Sequence, residues 1–183
     1  IVGIHYSTVF VWDKQYSALQ PRISLRYLID QKSSFKMGYA KMGQFLHLLT
    51  NSGIGLPTDL WVPATEKIKP QFSDQIAAGY ARTFSDKFEV SLEGYYKTMD
   101  NLIEYKDGAS FFDNETDWQD KVHIGRGWSY GGELLIEKKI GKTTGWIGYT
   151  LSWTNRQFDS INFGQSYPYR YDRRHDIGIA LTH

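Results

Sequence analysis

The sequence predicts an all-β chain, an antiparallel up-and-down meander of about eight long strands that forms a section of a transmembrane β-barrel. Three observations carry this expectation. Apolar and polar residues alternate with period two along most of the chain, without sustained 3.6-residue periodicity. Several alternating segments exceed about ten residues, whereas soluble strands average about five or six and tilted membrane strands need roughly nine to eleven. From Ile29 onward the connections alternate short, long, short, long, short, long.

The elements follow in order. The first strand, Val2–Val11, is followed by a connection of middling length, "WDKQYSALQ". The second, Pro21–Ile29, sets Ile23, Leu25, Tyr27 and Ile29 against Arg22, Ser24, Arg26 and Asp30 and ends in the short turn "DQKSS". The third, Phe35–Leu49, runs into the long "TNSGIGLPTDLWVPATEKIKPQ", which Pro57, Pro63 and Pro70 stiffen. The fourth, Phe72–Phe84, meets the fifth, Phe88–Tyr105, through "SDK". The fifth places Phe88, Val90, Leu92, Gly94 and Tyr96 opposite Glu89, Ser91, Glu93 and Lys97, and the long "KDGASFFDNETDWQDKVHIGR" follows. The sixth, Gly127–Lys139, turns through "IGK" into the seventh, Thr143–Asn155. A last long loop, "RQFDSINFGQSYPYRYDR", precedes the eighth, Arg174–Thr182. Single helical turns are expected in "TDLWVPA" and "NETDWQDK".

Successive connections of a meander lie at opposite ends of the sheet. Regular alternation of length therefore gathers short turns on one rim and long loops on the other, the arrangement of outer-membrane barrels. The faces agree. Leu134, Ile136 and Ile140 oppose Glu133, Glu137 and Lys139; Ile147, Tyr149, Leu151 and Trp153 oppose Thr144, Thr150, Ser152 and Thr154. Lys138 is the exception, and its place beside a turn predicts an interfacial position. Otherwise a Lys or Arg facing lipid costs about 2–4 kcal/mol at the midplane.

Composition bounds the function. The formal net charge of +1 and the scattered Lys and Arg argue against a nucleic-acid partner. Zero cysteines exclude disulfides, thiolate metal sites and cysteine catalysis. Aromatics make up 16% of residues, a composition suited to β-structure and to oil–water interfaces. None of the five histidines has a partner at metal-ligand spacing. "GRGWSYGG" lacks the Lys-Ser/Thr ending of a phosphate loop. The carboxylate pairs Glu89/Glu93 and Glu133/Glu137 read as a solvated face rather than a glycosidase pair. No cofactor and no catalytic residue is expected. The long loops hold Trp61, Phe111, Phe112, Trp118, Phe163, Tyr167, Tyr169 and Tyr171, which suit ring stacking on a ligand or packing into a loop cap.

The chain also resembles the TonB-dependent outer-membrane receptors of Bacteroides-type bacteria. The resemblance rests on "PRISLRY", "QFLHLL", "LPTDLWVP", "IKPQFSDQ", "EGYYK", "GWSYGGELLIEKKIGKTTGWIGYTLSW" and "YDRRHDI", in this order. It implies that residues 1–183 are a partial β-barrel domain of the bacterial outer membrane, without the plug domain or the terminal strand. It also implies a receptor that imports a nutrient bound at the cell surface, using TonB-derived energy. The implied partners are outer-membrane lipid, the protein's own N-terminal plug domain, the TonB complex acting through that plug, a nutrient ligand, and a surface lipoprotein. The expected ligand contacts are Asp59, Trp61, Trp118, Tyr167, Tyr169, Arg170 and Arg173. A barrel section alone would expose its apolar strip and both sheet edges, which detergent, another copy or local closure would cover. The alternatives are a soluble carbohydrate-binding β-sandwich and, with less support, a β-rich glycosidase module.

Overall fold

The computed structural model describes residues 1–12, 14–50, 59–106, 109 and 117–183. In chain order its strands are β1 (Val2–Val11), β2 (Lys14–Leu28), β3 (Ser33–Gln44), β4 (Leu46–Thr50), β5 (Asp59–Pro63), β6 (Gln71–Phe84), β7 (Phe88–Tyr105), β8 (Val122–Lys138), β9 (Thr144–Gln157), β10 (Tyr167–Pro168) and β11 (His175–Thr182). The large sheet runs β1-β2-β3-β6-β7-β8-β9, with β10 and β11 pairing different stretches of β9. Every pairing is antiparallel. β4 and β5 form a separate hairpin.

All eight predicted strands are present, and the departures have local causes. The first connection is not of middling length: Val11 pairs with Lys14, and β2 continues through the polar run before Pro21. Pro21 marks where the β2–β3 ladder stops, because that pairing covers only Arg22 to Leu28. A proline offers no N–H to a ladder. Beyond it the Gly43 N–H of β3 donates to Gln20 Oε1 at 3.0 Å. The predicted third strand divides at Phe45 into β3 and β4. "TDLWVPA" is no helical turn: Asp59–Pro63 is extended and pairs with β4 from Thr50 to Leu46. "NETDWQDK" does hold a 3₁₀ turn at Trp118–Lys121, with Asp117 accepting from the Gln119 N–H. β7 and β8 pair five residues further than Gly127, ending at Tyr105↔Val122. They cross a bulge at Asn101, whose φ is 58° and whose Nδ2 donates to the Pro70 carbonyl at 2.8 Å.

The short turns after Leu28, Phe84 and Lys138 share one end of the sheet, whereas the tight β1–β2 turn lies at the other. Lys32 bridges to Asp86 at 2.9 Å across two neighbouring turns of that rim. At the other end a small hydrophobic cluster forms under the loops from Leu49, Val62, Ile68, Ile103, Tyr105 and Val122. The large sheet has no second layer along most of its length: among the described residues the other sheet is only the β4–β5 hairpin, packed at the loop end. The carbohydrate-binding sandwich needs such a layer, so the fold does not support that alternative.

Candidate functional site

Strand register turns alternation along each strand into continuous rows across the sheet. One row reads Val2, Ile23, Tyr39, Ile76, Tyr96, Tyr130 and Trp153. Another reads Tyr27, Phe35, Tyr80, Leu92, Leu134, Tyr149 and Ile177. All these side chains belong to one face. Leu25 is 62% exposed, Leu92 59% and Ile147 46%, so this face is open rather than sealed in an interior. An open face of this composition and extent calls for a hydrocarbon environment.

The edges of the apolar face are built for an interface. Toward the loops Tyr96, Tyr130 and Trp153 stack at 6.5 and 5.2 Å between ring centroids. One step further up the same face Lys41 pairs with Asp74 at 3.1 Å, and Tyr39 donates to the same carboxylate. Toward the turns Arg82 lies over Phe84 at 5.4 Å and Lys138 over Phe88 at 6.0 Å. The charged residues of the apolar face on these strands thus sit beyond or beside its aromatic margins, where side chains can reach headgroups and water. Lys138 takes the interfacial position expected of it.

The opposite face is mostly polar or small. Glu93 pairs with Glu133, and Glu89 with Glu137. Lys139 bridges the second pair, 2.6 Å from Glu89 and 3.5 Å from Glu137. Val9, Leu28, Met42, Met99, Leu135 and Trp146 are among its apolar exceptions; Trp146 covers the glycines at 148 and 178.

At the loop end of the polar face lies a cleft of about 600 Å³. Arg22, Gln44, Gln71, Ser73, Lys97, Met99 and Arg156 line it from the strands, and Leu48, Trp61 and Tyr169 from the cap hairpin and the last loop. Its last-loop wall is tightly organised. The Arg156 guanidinium lies 3.5 Å from the Tyr169 ring centroid and 3.4 Å from Glu104. Tyr167 donates to the same Glu104 oxygen at 2.9 Å, and Phe158, fully buried, stacks on the Tyr167 ring. The Tyr169 N–H donates to the Thr154 carbonyl at 2.8 Å. Tyr171 meets Tyr169 edge-on at 5.3 Å and donates to Asp59 at 3.4 Å, tying the last loop to the cap hairpin.

In that hairpin His47 is fully buried. Gln71 Nε2 donates to Nδ1 at 3.0 Å, which leaves the ring proton on Nε2, buried without a well-formed hydrogen bond. Burial pushes the His47 pKa down from 6.5 to about 4, against a weaker upward pull from the Lys69 backbone.

Of the residues expected to contact ligand, Trp61 and Tyr169 line the cleft. Asp59 and Tyr167 stand behind its wall through the bonds just described. Arg170 packs over Tyr171 at 5.1 Å. Trp118 packs against the small core under the loops, and Arg173 is largely exposed, 4.0 Å from Asp176. Neither lines the cleft. Phe163 is fully exposed in a 3₁₀ turn, and Phe111 and Phe112 lie outside the described residues. Arg22, Lys97 and Arg156 were not among the expected contacts. Alternation put the first two on the polar face, but only register brings them to one cleft.

Comparison with known proteins agrees with this architecture. No curated protein matches the chain. A protein-family model described as TonB dependent receptor-like, beta-barrel matches residues 3–182, nearly the whole chain. The chain therefore belongs to the TonB-dependent receptor β-barrel family, a family of outer-membrane receptors and transporters.

Proposed function

We propose that residues 1–183 are part of the barrel wall of a nutrient importer in the bacterial outer membrane. The apolar face contacts lipid, the polar face borders the passage, and the cleft under the loops receives a nutrient from outside the cell. Energy for import comes from the TonB complex, acting through an N-terminal plug domain of the same protein. A surface lipoprotein is a further partner at the loop end. In this reading Trp61 and Tyr169 touch the ligand, while Asp59, Tyr167, Arg170 and Arg173 hold or flank the last loop. Trp118 keeps the cap folded instead of binding.

The observation that carries the proposal is the division of one sheet into an exposed apolar face with aromatic margins and a polar face with a cleft at its loop end. The test uses the full-length protein in its host. Membrane fractionation should place it in the outer membrane. Cells carrying it should deplete at least one nutrient from a defined panel of saccharides, peptides and metal chelates. That depletion should stop in a strain lacking the TonB motor. Recovery in the soluble fraction, or uptake unaffected by loss of the motor, refutes the proposal.

A further inference from the structure

The charge of the loop-end cleft is one-sided. Among the described residues Arg22, Lys97 and Arg156 line it, and no Asp or Glu does. Arg156 is answered from behind by Glu104. The Arg22 and Lys97 side chains have no ion pair or hydrogen bond among the described residues. The cleft amides are already engaged: Gln44 donates to the Leu46 carbonyl and Gln71 to His47. The groups left to bind a solute are therefore Arg22, Lys97, the Ser73 hydroxyl, the Trp61 ring and the Tyr169 ring face that Arg156 does not cover. Arg22, Ala40, Gln75 and Lys97 share one register row, so the Cα atoms of the two cationic residues stand three strand spacings apart, about 14 Å. Unpaired cations facing a cleft hold anions by charge-assisted hydrogen bonds, and exposed rings such as Trp61 add a stacking surface.

We infer that this cleft takes a multiply anionic solute with a flat face, its carboxylate or sulfate groups bound by Arg22 and Lys97 and its body stacked against Trp61 and Tyr169. The inference rests on the receptor reading above and adds the charge class of the nutrient. Neutral saccharides and cationic peptides would leave both cations unanswered.

The test uses the full-length receptor in non-ionic detergent with pyranine, a flat aromatic trisulfonate, as probe and proflavine, a flat aromatic cation, as control. Fluorescence anisotropy should show saturable pyranine binding. The affinity should fall about tenfold or more in the Arg22→Gln, Lys97→Gln double variant, the expected size for losing a charge-assisted bond. It should also fall as salt rises from about 0.05 to 0.5 M. Arg26→Gln, on the same face nearer the turns, should bind as the parent does. Heat-modifiable gel mobility confirms that each variant is folded. Absence of saturable pyranine binding, equal binding of proflavine, or an unaffected double variant overturns the inference. If one of these results appears while motor-dependent uptake persists, the charge assignment fails and the receptor reading stands. If uptake fails while pyranine binds as described, the reverse holds.

Discussion

Arginine at position 92 should destabilise the folded barrel strongly, while arginine at position 91 should not. Along β7 the apolar face runs from Phe88 near the turns to Tyr96 in the upper aromatic row, and Leu92 is midway, four residues from each. At about 3.3 Å per residue and a tilt of about 40°, the two margins are about 20 Å apart in depth, close to the roughly 25 Å apolar band of an outer-membrane barrel. Leu92 is therefore at the midplane, where a lipid-facing Arg costs about 2–4 kcal/mol, or about 30- to 1,000-fold in the folding equilibrium. Ser91 points to the polar face between Glu89 and Glu93, so Arg there should change stability by less than about 1 kcal/mol. Thr98→Arg returns to the apolar face but above the aromatic row, beside Asp74, and should cost at most about 1 kcal/mol. The assay is urea-titrated folding of the full-length receptor into thin lipid vesicles, followed by tryptophan fluorescence. Equal costs at 91 and 92, or a larger cost at 91, would refute the assignment of faces.

Three further outcomes follow from the loop end. His47 is held neutral when folded, with a pKa of about 4 against 6.5 when unfolded, so the unfolded hairpin binds more protons between those values. Cap stability should be constant above about pH 7 and fall by about 3 kcal/mol as pH drops from 6.5 to 4, and His47→Gln should flatten this profile; hydrogen exchange of the cap amides against pH measures both. A Cβ at Gly125 would lie 2.4 Å from the Gln157 carbonyl and the Phe158 ring, so Gly125→Ala should cost about 1–3 kcal/mol in the same urea titration. Phe158→Ala empties a fully buried site and should cost about 3–5 kcal/mol in that titration, with increased proteolysis of the last loop.

How much of this was legible in the sequence depended on the range of the interactions. The two faces were readable because period two is a property of each strand alone: Leu25, Leu92 and Ile147 emerge together whichever strand is taken first. The short turns after Leu28, Phe84 and Lys138 were readable for the same reason, but the tight β1–β2 turn was not. The loop end was not, because its structure depends on pairings between distant segments. Asp59–Pro63 becomes a strand only because Leu46–Thr50 lies beside it. Beyond the bulge at Asn101, pairing with β7 carries β8 back to Val122, into what looked like loop. The cleft was legible only in part. Ring-rich loops identified Trp61 and Tyr169, but placing Arg22 in the same row as Lys97 requires the register of three successive ladders, which no local pattern contains.

The same register shows why the apolar face suits a closed barrel. Take the row from Val2 on β1 to Trp153 on β9 as a level line. On β1 apolar residues continue above it through Tyr6, four residues up, to Phe10, eight residues up. On β11 they begin four residues below it, at Ile177, which pairs with Tyr149. Across the seven strand steps from β1 to β11 the apolar band therefore slides by eight to twelve residues against the hydrogen-bond rows. At about 3.3 Å per residue and 4.8 Å per strand, the slide corresponds to an inclination of about 40–50°. A band that must stay level with a bilayer can slide in this way only if the strands lean by that angle, and barrel strands lean by about 35–45°. Upright strands would carry their apolar residues along a single row instead. The stagger that lets a sheet close on itself is thus already present in where Phe10, Tyr96 and Ile177 stand on their strands.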